Sequence, residues 1–195
     1  MNKKKIIQIG IIIFVIVFVT ICVAIVQFSK HNLEEAKKDL QETQEKYGWV
    51  EKESVDVLVA KFNTQVMDND SSSLNPASTD YLTESNNEYW YGLIEGVYLV
   101  VVPEKYTGDK TTETVNYTLL YVDKTSKYES DAISYIKYLI KANNSEITDS
   151  EIDTLLEDAK TKANSGKTAN NGKGISIGYT EKDEAYQYQV LRLYK

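Results

Sequence analysis

Twenty-three consecutive residues without a charge, Ile6 to Phe28 (IIQIGIIIFVIVFVTICVAIVQF), constrain this chain more than any other feature. At 1.5 Å of rise per residue, one helix over that run covers the roughly 30 Å hydrocarbon core of a bilayer. A secretory signal peptide carries a shorter apolar core, about 7 to 15 residues, and a small-x-small cleavage site. Val26-Gln27-Phe28 offers no such site, and Ile21 stands where lipid attachment at Cys22 wants a small residue. The run therefore reads as an uncleaved signal-anchor, a transmembrane helix whose partner is the lipid bilayer.

Charge sets its direction. Lys3, Lys4 and Lys5 sit directly before the run, whereas Ser29-Lys30-His31-Asn32 and then acids follow it. By the positive-inside rule residues 1–5 are a basic cytoplasmic tip and the chain after the run is extracytoplasmic, the signature of a single-pass protein of the cell membrane. Without those three lysines, 19 basic residues face 29 acids, a net of −10. So acidic a domain repels nucleic acid and anionic headgroups, and no nucleic-acid partner is expected. Arg192 is the only arginine, and Asn, Ile and Tyr are abundant. That usage reads as AT-rich coding in a low-GC bacterium, where the N-x-S/T matches at Asn69, Asn116 and Asn143 are chance.

Beyond the membrane, Leu33, Ala36, Leu40, Thr43, Tyr47 and Val50 recur at spacings of three and four. Glu34 with Lys38 and Glu42 with Lys46 add favourable i,i+4 pairs. The pattern predicts a helical stalk over 29–48 that Gly48 ends or kinks, shorter than the three or four heptads of a coiled coil.

Residues 49–195 read as one extracytoplasmic domain. Val55, Leu58, Val59, Phe62 and Val66 form a helical stripe, and the polar stretch Asp68 to Pro76 ends it. Strands are predicted over Glu88 to Leu93, Val97 to Val102 and Val115 to Val122. Val97 to Val102 is apolar on both faces and is expected to be a central strand, covered on both sides at least in part. Two helices follow, with capping boxes at Ser126-Lys127-Tyr128-Glu129 and Thr148-Asp149-Ser150-Glu151. The first buries Ala132, Tyr135, Ile136, Leu139 and Ile140. The second buries Ile152, Leu155, Leu156 and Ala159 and stops near Gly166. The stretch 165–173 is a loop, and a strand pair over Gly174 to Thr180 and Ala185 to Tyr194 closes the chain. The order α-βββ-αα-ββ predicts an α+β fold, a mostly antiparallel sheet packed by helices.

Chemistry is sparse. His31 is the only histidine and Cys22 the only cysteine, both before the domain, so residues 49–195 can build no Ser-His-Asp triad, His- or Cys-ligated metal site or disulfide. Asp68, Asp70 and Ser72 begin like a calcium loop, but Ser73 stands in place of its glycine and Thr79 in place of its bidentate glutamate. Gly166-Lys167-Thr168 resembles the tail of a phosphate-binding loop, yet Thr161 replaces the first glycine and a helix precedes rather than follows it. Ser134 and Lys137 match S-x-x-K without the companion S-D-N and K-T-G elements. No metal, cofactor or catalytic constellation is expected.

The most suggestive feature is aromatic: Tyr89, Trp90 and Tyr91, with Tyr98, Tyr106, Tyr117 and Tyr121 nearby. Such residues anchor protein partners or stack on sugars, and they also fill cores. Alternation sends Tyr89 and Tyr91 to one face of a strand and Trp90 to the other, so at least one face is core. The functional expectation is a non-enzymatic, membrane-anchored envelope module that binds an envelope protein or a wall glycan, with these three residues as candidate interaction surface. The alternatives are a structural subunit of a secretion, conjugation or pilus-like machine, and a small envelope hydrolase.

Overall fold

The computed structural model describes residues 48–69 and 74–194, together with Lys37, Lys38 and Glu42. The basic tip, the apolar run and the rest of the stalk lie outside the described residues, as do positions 70–73 of the calcium-like loop. Among the described residues no helix is long and apolar enough to cross a membrane. Lys37, Lys38 and Glu42 are helical and exposed, with Lys38 and Glu42 paired at 3.7 Å.

The domain is α+β, as expected: three helices and a seven-stranded sheet antiparallel throughout. Helix α1 (Val55–Asn69) buries the five residues of the predicted stripe. After a 3-10 turn (Thr79–Tyr81) come β1 (Leu82–Ser85), β2 (Glu88–Ile94), β3 (Val97–Pro103) and β4 (Val115–Asp123), an up-and-down meander. Helices α2 (Glu129–Asn143) and α3 (Asp149–Thr161) then carry the chain across to β5 (Ala169–Asn170), β6 (Ile175–Glu181) and β7 (Ala185–Arg192). Strand order is β1-β2-β3-β4-β7-β6-β5, so β4 is central and β7 closes the sheet beside it.

Four expectations need correction. The order is α-ββββ-αα-βββ, because β1 and the two-residue β5 join as edge strands. Val97 to Val102 lies one strand off centre, and its second face is covered only in part: Val100 is buried there, Tyr98 exposed and Val102 half-buried. The capping box at Ser126 does not form. Instead the Ser126 hydroxyl donates to the Glu95 carbonyl at 2.8 Å, tying the β2–β3 hairpin to the helix entry, and Tyr128 caps α2 without a side-chain bond. Helix α3 ends at Thr161, five residues before Gly166, and its own capping box is complete: Glu151 N–H donates to Thr148 Oγ1, and Thr148 N–H to Glu151 Oε2.

The helices cover one face of the sheet. Their apolar stripes meet Tyr89, Tyr91, Leu93, Leu99, Leu120, Val122, Tyr188 and Val190 in one core. Two polar devices hold its margins. Arg192, 1 % exposed at its side chain, donates to Glu53 at 2.6 Å and to the Glu51 carbonyl at 3.1 Å, and Lys61 also pairs with Glu53. This lashes the entering chain to the last strand, helped by a parallel bridge between Val50 and Tyr194. The approach is so close that the crossing needs glycine: a Cβ on Gly174, at φ +77°, would lie 2.3 Å from the Trp49 carbonyl carbon, and one on Gly48, at φ +67°, 2.4 Å from the Gly172 oxygen.

The second device is Glu113, 3 % exposed. Its carboxylate accepts from the Tyr89 hydroxyl at 2.6 Å, the Gly108 amide at 2.7 Å, the Thr107 hydroxyl at 2.9 Å and the Thr107 amide, and so shapes the loop between β3 and β4. Burial pushes its pKa up, but the hydrogen bonds from Tyr89, Thr107 and Gly108 outweigh burial and hold the carboxyl below its ordinary value. Tyr89 is pushed far up, first by burial and then by Glu113.

Candidate functional site

Alternation divides the aromatic cluster. Tyr89 and Tyr91 are 0 % and 2 % exposed, on the helix-covered face, and so cannot form an interaction surface. Tyr89 spends its hydroxyl on Glu113 and its ring on Tyr106, 5.4 Å away. Of the three candidates only Trp90 faces the other side, where no described element packs across the sheet.

There Trp90 is half-buried among residues from three strands. Val100 on β3 is its direct cross-strand partner, and Tyr98 and Tyr121 pair with each other across β3 and β4. The three rings form a triangle: Trp90 to Tyr98 6.2 Å, Trp90 to Tyr121 5.8 Å and Tyr98 to Tyr121 6.1 Å, tilted at 59–64°. This edge-to-face arrangement is the one aromatic quadrupoles favour. The indole N–H donates to Glu88 at 3.0 Å, which fixes the plane of the ring. Across the sheet the same face continues with half-buried Tyr117, Leu119, Gln187, Gln189 and Leu191. Val100 is fully buried there because Trp90 and Leu119 flank it on the two neighbouring strands.

Beside the triangle lies a cavity of about 280 Å³ lined by Tyr81, Thr83, Ser85, Trp90, Gly92 and Tyr98. Tyr81, at 71 % exposure, forms its rim. Sequence reasoning named Trp90, Tyr98 and Tyr121 but missed Tyr81 and Gly92. A glycine inside an otherwise apolar strand was the available signal.

A larger cavity of about 610 Å³ sits at the end of α2, bordered by Trp49, Lys61, Gln65, Lys141 and Asn144. Its lysines are committed elsewhere, Lys61 to Glu53 at 2.5 Å and Lys141 to Asp149 at 2.7 Å. Lys137 of the S-x-x-K match pairs with Asp153 at 2.6 Å. Gly166-Lys167-Thr168 lies between α3 and β5, exposed at its glycine and lysine. Among the described residues no group of three or more His, Cys, Asp or Glu is placed to hold a metal. Glu151 is drawn down to about 2 by its bond to Lys173 and by Thr148, a consequence of helix capping.

No protein-family model, curated protein or solved structure matches the chain. What defines it is an α+β domain with one sheet face sealed by helices and the other presenting aromatic rings.

Proposed function

We propose that this chain is a single-pass membrane protein of a bacterial envelope whose extracytoplasmic domain is a non-enzymatic interaction module, docking its partner on the open face of the sheet. The anchor rests on the uncharged run 6–28, and the orientation on Lys3, Lys4 and Lys5 before it. The observation that carries the docking reading is the Trp90, Tyr98 and Tyr121 triangle, held in fixed planes on a face that no described helix covers. Rigid aromatic groups of this kind bury large area on binding at little entropic cost. A non-enzymatic role is favoured because the acids and lysines in the strongest polar contacts are engaged structurally: Glu113 in a loop, Glu53 with Arg192, Glu151 in a helix cap, Lys137 with Asp153.

The test is retention of envelope material by the immobilised full chain. Native protein retains a partner, and Trp90→Ala with Tyr98→Ala abolishes retention while the domain still melts cooperatively, at a lower midpoint because Trp90 helps to bury Val100. Equal retention by the native and doubly substituted chains would move the docking site off this face, and retention of nothing by the native chain would refute the reading.

A further inference from the structure

The cavity beside the aromatic triangle has a chemistry of its own. Its six lining residues carry three aromatic rings, two aliphatic hydroxyls and a glycine, and none is charged at neutral pH. That is unusual ground in a chain with 29 acids. An ionic ligand would find no counter-charge in the lining and would lose its hydration there. A purely apolar ligand would leave the hydroxyls of Thr83, Ser85 and Tyr81 to solvate themselves. A ring with apolar C–H faces and a hydroxylated rim satisfies both kinds of wall.

Gly92 strengthens the case. It sits inside β2, where glycine is unfavourable by roughly 0.5–1 kcal/mol relative to alanine. Its φ is not positive, so the backbone does not demand glycine. Nor does close packing, because a Cβ there would meet nothing nearer than Tyr81 Cβ, at 3.6 Å. A register shift begins at Gly92, but a bulge requires glycine only where its φ is positive, and here it is not. What the missing side chain does is keep the floor of the cavity open between Tyr81 and Tyr98, as glycine does in strands where a ligand approaches the backbone.

We infer that this cavity is a subsite for one neutral pyranose unit of a glycan, stacked on Trp90 and edged by Tyr98 above Gly92 and hydrogen-bonded at its rim to Thr83, Ser85 and Tyr81. The inference rests on the docking reading above and names the partner of that face. Size agrees: about 280 Å³ falls just below the roughly 300–1,000 Å³ of pockets for drug-sized ligands. Geometry argues against the other partner that aromatic surfaces recruit, a polyproline segment, which lies along aromatic-lined grooves. Here the Trp90 and Tyr98 rings meet at 64° and border, with Tyr81, Thr83, Ser85 and Gly92, one compact cavity and not an extended groove.

The experiment is titration calorimetry on the full chain in a zwitterionic detergent without a sugar headgroup, with cellotetraose and chitotetraose as probes and a proline decapeptide as the rival. At least one saccharide binds, with a dissociation constant of about 0.1–10 mM, as expected for a ligand gripped mainly through one ring. Trp90→Ala and Gly92→Val each weaken it at least about tenfold. Tyr81→Ser, at an exposed position that does not bear on folding, weakens it a few-fold. No heat with either saccharide overturns the inference, and so does saccharide binding indifferent to all three substitutions. Decapeptide binding that is lost in Trp90→Ala, with no saccharide heat, overturns the glycan while leaving the docking face intact.

Discussion

Removing the Glu113 carboxylate is the sharpest perturbation the core offers. In Glu113→Ala the Tyr89 hydroxyl, 0 % exposed, loses its acceptor. An orphaned buried donor costs about 1–3 kcal/mol, and a bond to a charged group contributes about 1.5–3. Thr107 and Gly108 are exposed, so water replaces the carboxylate at their amides and adds little. Both figures describe the same bond and are not added: the loss is about 2–3 kcal/mol, which for a domain of this size lowers the melting midpoint by roughly 5–12 °C. Tyr89→Phe leaves Glu113 three donors and costs about 1–2 kcal/mol. Because the two side chains share one bond, their effects overlap, and urea denaturation of the two single variants and the double should give a coupling of about 1–3 kcal/mol. The network also has a pH signature. The folded carboxyl titrates below its unfolded value, so its contribution is full above the ordinary carboxylate range and is lost as pH falls through the folded value. Glu113→Gln should therefore show a shallower acid limb than the native domain. Coupling below about 0.5 kcal/mol, or an unchanged acid limb, would refute the claim that this carboxylate organises the loop.

Three further outcomes follow from other parts of the fold. Gly174→Ala places a Cβ 2.3 Å from Trp49 backbone and should cost at least about 1–3 kcal/mol, with amide exchange at Val50 rising because its bond to the Leu193 carbonyl is displaced. Leu155→Ala and Leu156→Ala remove side chains that are 3 % and 6 % exposed, and at about 2–5 kcal/mol each the double variant should lose most of its cooperative melting. Glu151 has its folded pKa lowered to about 2, so its stabilisation holds above the ordinary carboxylate range and fades as pH drops toward 2. Glu151→Gln should flatten that part of the stability curve measured by circular dichroism.

Much of the architecture was legible because its signals are local. The stripe of α1 and the Thr148 capping box needed only residues within a turn or two of each other. Ser126 carries the same local pattern and fails: its oxygen accepts from the Tyr128 amide at 3.2 Å while its hydroxyl donates to Glu95, 31 residues away, a contact that no local rule sees. Strand β1 was missed since Leu-Thr-Glu-Ser is barely apolar; its readable sign was Asn86-Asn87, both at positive φ in the two-residue turn to β2. The two-residue β5 exists only through its pairing with β6. Alternation correctly separated Trp90 from Tyr89 and Tyr91, but it could not say which apolar face the helices would take, and on β3 Val100 is as buried on the open face as Leu99 and Val101 are on the other. Glu113 looks in the sequence like any loop acid, and only the folded loop turns its four donors inward.

The central claim joins a location to a surface, and cysteine labelling with a membrane-impermeant maleimide reads both in a Cys22→Ser background. Lys167→Cys, at an exposed position outside the aromatic triangle, should react in intact cells, whereas Asn2→Cys should react only after permeabilisation. Gln187→Cys, half-buried on the open face beside Tyr121 but outside the ring triangle, should react readily in the purified chain and more slowly in intact cells, where the partner covers it. Labelling of Asn2→Cys but not Lys167→Cys in intact cells would contradict the topology, and equal rates for Gln187→Cys in both settings would contradict docking on the open face.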